Sequence, residues 1–100
     1  MSFDLDQKRR EEARWRILRV LDAGRPIGVS EHIVWECLND AKIPFSINEV
    51  RRELDYLRER DLIELEGEDS DTWYAKLNRH GVDVVEYTVP VEPGIARPPK

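Results

Sequence analysis

The chain holds a single cysteine, Cys37, so no intramolecular disulfide can support it. No apolar run approaches the roughly 20 residues that a membrane-spanning helix needs. The amino terminus, MSFDLDQKRR, has no apolar stretch of the kind a secretory leader carries. A soluble, cytoplasmic protein with no membrane partner is expected. Positive charge is in deficit: 16 lysines and arginines stand against 21 aspartates and glutamates, for a net charge of −5. That balance argues against a generic nucleic-acid coat protein, although a local basic face can outweigh the total. Soft metal ligands are scarce, with only Cys37, His32 and His80 on offer. A closed zinc site normally wants four ligands at short paired spacings. Cys37 falls on an apolar helical stripe and His32 in a first helical turn, while His80 is isolated, so neither a metal nor another cofactor is expected. The chain also lacks a nucleophile–base pairing, a phosphate-cradling loop and a carboxylate pair in an apolar setting, which speaks against an enzyme.

What the chain does have is room for one small domain: 100 residues, 40% of them hydrophobic and 37% charged. Asp4 or Asp6 can cap a first helix that runs to about Ala23 and stops at Gly24. Ala13, Ile17, Val20 and Leu21 share one face of it, with Trp15 nearly opposite and Leu18 on the flank. Pro26 and Gly28 mark a turn. Ser30 caps a second helix, and Val29 with Val34 forms a hydrophobic staple. Ile33, Val34, Cys37, Leu38 and Ala41 make its inward stripe, from which Trp35 stands off, and Pro44 lies beyond its end.

The third helix carries the strongest local signal. Ser46 with Glu49 is a capping box, and Phe45 with Val50 is a second staple. Ile47, Val50, Leu54 and Leu57 face inward at helical spacing; Asn48, Arg52, Asp55 and Glu59 face outward, with Arg51 and Arg58 on one flank. Leu62–Glu66 and Thr72–Leu77 read as two strands joined by a turn at Gly67–Asp71, since Trp73, Ala75 and Leu77 alternate with Thr72, Tyr74 and Lys76. Asn78 can cap a fourth helix through Val82, Val85 and as far as Tyr87. The four prolines from Pro90 onward bar regular helix and central strand from the tail. The expected organisation is a domain over residues 1–87 and a proline-rich tail over 88–100. That tail is either a disordered end or, through Val89, Val91 and Ile95, an extended peptide that docks on another surface.

Helix, acidic hairpin and capped helix in this order form the back half of a winged helix-turn-helix. The expected fold is α+β, with a three-helix core, a two-stranded β wing and a short C-terminal helix. The segment Leu57-Arg-Glu-Arg-Asp-Leu-Ile resembles the end of a winged-helix recognition helix as it leads into the wing. Leu77-Asn-Arg-His-Gly-Val-Asp resembles the Leu-Thr-x-x-Gly segment that follows the wing in such domains. A narrower resemblance rests on Arg51-Arg-Glu-Leu-Asp-Tyr-Leu, Arg79-His-Gly-Val-Asp-Val and the closing Val91-Glu-Pro-Gly-Ile-Ala-Arg-Pro, together with the overall length. In these the chain is similar to small winged-helix proteins of Mu-like phages and prophages. That resemblance implies a phage origin, hence the cytoplasm of a host cell, and the same fold. It carries no functional residues across.

The fold is most often used on DNA. The first turns of the third helix would then enter the major groove. Asn48 and Arg52 are types that pair with adenine and guanine edges, Lys42, Arg51 and Arg58 can reach phosphates, and Ser46 orients the helix start. Charge opposes this use. The wing region Asp61–Leu77 carries six acids, Glu66, Glu68, Asp69 and Asp71 among them, against Lys76 alone. Phosphate contacts dominate affinity for DNA, so such a wing must be turned away or neutralised. The alternative is a protein-interaction adaptor whose acidic wing and tail meet a basic partner without DNA. Helix one holds the densest positive charge, Lys8, Arg9, Arg10, Arg14, Arg16 and Arg19, which could bind phosphate or accept a neighbouring subunit's wing. Trp15 and Leu18, off the helix-one stripe, are the candidates for a homodimer interface.

Overall fold

The computed structural model describes residues 4–100. Its elements run α1 (Leu5–Ala23), β1 (Val29–Ser30), α2 (Glu31–Asp40), α3 (Ile47–Glu59), β2 (Ile63–Glu66), β3 (Tyr74–Leu77) and α4 (Arg79–Val85). Four helices and an antiparallel sheet close round one core, which is a winged helix of the α+β class.

Each helix begins where a side chain satisfies a free backbone N–H. Asp4, not Asp6, caps α1 by accepting from the Gln7 N–H at 3.0 Å. Ser30 and Asn78 cap α2 and α4 in the same way. Ser46 and Glu49 form the full capping box at α3, with both reciprocal bonds made. Three helices end without glycine in a left-handed residue: Lys42 (φ 67°), Asp61 (φ 59°) and Tyr87 (φ 64°). After each, the next N–H reaches back to close the last turn, as from Ile43 to the Leu38 carbonyl at 2.9 Å and from Thr88 to that of Asp83 at 3.0 Å. Gly24 does not end α1 in this left-handed way, since its φ is −89°. It is small because a Cβ there would run into the Val29 side chain. Gly81 is small for a related reason, as a Cβ would strike the Leu62 carbonyl.

The sheet has three strands in the order β1-β3-β2, so the hairpin expected from the sequence gains an outer member. Val29 pairs with Ala75 and Ser30 with Tyr74. Two residues are too few to show alternation, and the sequence marks Val29 only as half of a staple. It is both: its side chain is buried while its backbone joins the sheet.

Burial on α1 is far wider than one stripe. Trp15 (6% exposed) and Leu18 (0%) lie in the core with Ala13, Ile17 and Leu21. This overturns the reading of Trp15 and Leu18 as a dimer face. A helical wheel assigns one buried face, but α1 is covered by α2 and α3 on one side and by α4 and the returning tail on another. The Trp15 ring meets Tyr87 edge-to-face at 6.0 Å. Ile33, placed on the inward stripe of α2, is 51% exposed instead, and Cys37 is only half-buried.

The tail is neither loose nor extended toward a foreign surface. Ile95 is buried in the core cluster. The Ala96 N–H donates to the Glu11 carbonyl at 3.1 Å, and Arg14 Nη1 to the Gly94 carbonyl at 2.9 Å. Arg97 Nη1 donates to the carbonyls of Val84 and Val89, both at 2.9 Å, while Tyr87 Oη donates to that of Pro98 at 2.8 Å. Prolines exclude regular structure, so this segment is fastened by side chains reaching its carbonyls.

Candidate nucleic-acid interface

Helix α3 presents a buried face, two flanks and a crest. Val50, Leu54 and Leu57 are buried. One flank faces the hairpin, the other faces α1, and a crest of exposed residues runs between them. Asn48 and Arg52 lie on that crest, exposed, with Ser46 at the helix start and Lys42 exposed in the turn before it. Among the described residues Arg52 and Lys42 form no ion pair.

The hairpin flank is built on a carboxylate that sequence reasoning missed. Glu31, at the first position of α2, is fully buried. Its two oxygens accept from Arg51 Nε at 2.5 Å and Arg51 Nη2 at 2.8 Å, and Oε2 also accepts from the Trp73 N–H at 2.9 Å. Arg51 donates further to the Asp71 carbonyl at 3.1 Å, and its guanidinium lies 4.9 Å from the centre of the Trp73 ring. The Arg51 hydrogen bonds hold the Glu31 carboxyl below the usual carboxylate range, against the opposing effect of burial and with help from the Trp73 N–H. Arg51 is therefore a strut joining α2, α3 and the wing, and it is not free for phosphate. An acid in a first helical turn reads as ordinary helix-dipole chemistry. Only the fold brings its partner, 20 positions along the chain, to it.

Arg58 is also engaged. It donates to Glu68 at 2.6 Å and to Asp55 at 2.8 Å, tying the wing turn to α3. Glu66, Glu68, Asp69 and Asp71 are exposed, and of these Glu68 alone has an ion pair among the described residues. Negative charge thus gathers along the Arg51–Arg58 flank.

The opposite flank carries both signs of charge. Asp6, Arg9, Arg10, Phe45, Glu49 and Arg52 line a cleft between α1 and α3. It continues past Arg10 and Arg52 to Asp55, Tyr56, Glu59 and Arg60. Glu53 on its floor is 2% exposed and is neutralised by Arg14 at 2.7 Å. Tyr56 lies between two guanidinium groups, with the Arg14 and Arg60 carbons 3.5 Å and 3.4 Å from its ring centre. Two cations that close to one ring must take opposite faces. Arg60 is in turn paired with Glu92 of the tail at 2.9 Å. Arg10 and Arg52 form no ion pair among the described residues, and neither do Glu49 and Glu59, which line the same cleft.

Six residues chosen on sequence for DNA contact thus divide. The structure brings Ser46, Asn48, Arg52 and Lys42 to one exposed region at the start of α3. It withdraws Arg51 and Arg58 into struts that hold the wing. It adds Arg10, and beside it Arg9, which is paired loosely with Asp6 at 3.9 Å. His32 and His80 are exposed, and no three His, Cys, Asp or Glu side chains among the described residues are grouped as metal ligands would be. No helix among them is long and apolar enough to cross a membrane.

No protein-family model matches the chain, and no curated protein matches it. Among solved structures it is similar to a candidate DNA-binding protein of Ralstonia eutropha JMP134, determined by crystallography at 1.70 Å. The two are 21% identical, with a TM-score of 0.60 over 78% of this chain and 95% of the other. At that identity the likeness speaks for the fold.

Proposed function

We propose that this protein binds duplex DNA, with α3 in the major groove and α1, rather than the wing, on the phosphate backbone. The observation that carries this reading is the pairing of Arg10 with Arg52 across the start of α3, away from the wing, with neither in an ion pair among the described residues. Acids gather on the wing flank, while Arg10 and Arg52 stand unpaired on the other, beside the exposed Asn48. In this reading Asn48 and Arg52 meet base edges, and Lys42, Arg9 and Arg10 meet phosphates. Ser46 sets the direction of the helix start, where the helix dipole favours an anion. The likeness in fold to a candidate DNA-binding protein is consistent with it. The resemblance to small proteins of Mu-like phages supports a phage or prophage origin, and with it a role in a DNA transaction such as transcription control.

Affinity for short duplexes across a salt series tests the proposal. Each phosphate contact adds about 0.9 to the slope of log affinity against log salt. Arg10→Ala should lower that slope by about one and weaken all sequences alike. Arg52→Ala should cost about 1–3 kcal/mol at a specific site and relax one base position. No measurable binding at low salt by the wild type would overturn the proposal. A second reading has its own observation: Glu66, Asp69 and Asp71 are exposed acids without ion pairs among the described residues. It makes the wing a dock for a basic protein. Amides at Asp69 and Asp71 separate the two, because they should strengthen DNA binding by relieving repulsion but abolish capture of a basic partner.

A further inference from the structure

One face of the domain leaves large apolar side chains uncovered. Ile27 is 90% exposed, and Ile33 and Tyr74 are each 51% exposed. Single exposed side chains of this kind are ordinary on a small protein. These are not single: with Val20, Ala23 and Cys37 they line one shallow depression over the end of α1, the following turn, the outer flank of α2 and β3. Contiguous apolar surface of this sort marks an interface. None of its lining residues belongs to α3.

The edges of the depression differ in charge. At Val20 and Cys37 it adjoins a hollow lined by Arg16, Arg19 and Glu12, of which Glu12 pairs with Arg16 at 3.3 Å and leaves Arg19 as the net positive charge. At Ile27, Gly28 and Tyr74 it adjoins a cleft that holds Glu64 and Glu66. The sheet register sets Glu66 opposite Tyr74 and Glu64 opposite Lys76, so two carboxylates face one lysine there. Arg19 is exposed and has no acidic partner among the described residues. The patch is apolar in the middle, positive at one edge and negative at the other. A two-fold axis through its middle would lay each positive edge on the negative edge of the other copy. An isologous interface requires this self-complementarity, and a second copy of the chain supplies it by symmetry.

We propose that this patch is a homodimer interface. Ile27, Ile33 and Tyr74 meet their counterparts near the two-fold axis, and Arg19 of each copy pairs with Glu64 and Glu66 of the other. Sedimentation of the full chain over a concentration series tests it. The wild type should pass from 11.8 kDa to twice that mass by high micromolar concentration. Ile27→Asp and, separately, Tyr74→Asp should weaken the dimer by about tenfold or more with an unchanged far-ultraviolet circular dichroism spectrum. Arg19→Glu and Glu66→Arg should each weaken it, and the two together should restore it in part. A wild type that stays at 11.8 kDa throughout overturns the proposal. So does a dimer indifferent to both apolar variants, or a charge exchange that restores nothing.

Discussion

Removing the Glu31 carboxylate should loosen the wing from the helices, and the structure sets the size of the effect. Glu31→Ala leaves the Trp73 N–H without its acceptor at 2.9 Å and ends both Arg51 hydrogen bonds. A stranded buried donor costs about 1–3 kcal/mol, and loss of bonds to a charged group adds about as much again. Arg51 can turn toward water, so the total should lie near 2–4 kcal/mol, by roughly that argument. Glu31→Gln keeps the shape and one acceptor, and about 1–2 kcal/mol is expected. Arg51→Ala should be the most damaging of the three, because it leaves a fully buried carboxylate without its cation. In a domain of this size each kcal/mol lowers Tm by about 4–8 °C.

Urea or thermal unfolding followed by tryptophan fluorescence measures these differences directly. The pH dependence is a second readout. Because Arg51 lowers the folded pKa of Glu31, the folded state binds that proton more weakly than the unfolded chain does. The stabilisation is therefore fully present above the ordinary carboxylate range and is lost as pH falls through the folded pKa. The gap between wild type and Glu31→Gln should be widest near neutral pH and close in acid. A Glu31→Ala variant within about 0.5 kcal/mol of wild type would refute the reasoning, since effects that small are typical of open surface sites. A gap that does not change with pH would refute it too.

Two further predictions follow from burial. Trp15→Ala should cost about 3–5 kcal/mol, because the side chain fills the core between α1 and Tyr87. Light scattering of the folded fraction should then match the wild type, which separates a core residue from an interface residue. Ile95→Ala should cost roughly 2–4 kcal/mol in urea unfolding, toward the lower part of the core range because the residue lies near a chain end. A negligible cost there would mean that the tail does not stay seated on α1.

What the sequence alone determined is the local grammar of the fold. Ser30, Ser46 and Asn78 cap helices because a capping oxygen needs only the next turn of its own chain. The alternation from Trp73 to Leu77 marked a strand with one buried side, and the inward stripe of α3 came through at Val50, Leu54 and Leu57, with Ile47 only half-buried. These are signals of short range. The tertiary structure decided whatever depends on partners far apart in the chain. β1 exists because β3 lies beside it. Trp15 and Leu18 are core because α4 and the tail return over α1, which no periodicity in α1 can encode. The candidate site divides the same way. Asn48 and Arg52 were legible as the outward face of a capped helix. Arg51 reads as a flank residue able to reach phosphate, yet Glu31 withdraws it. Arg10 joins the site only because α1 crosses beside α3. A side chain's direction is set within a few residues of its own position, but whether its charge is free or spent is set by what the whole fold places next to it.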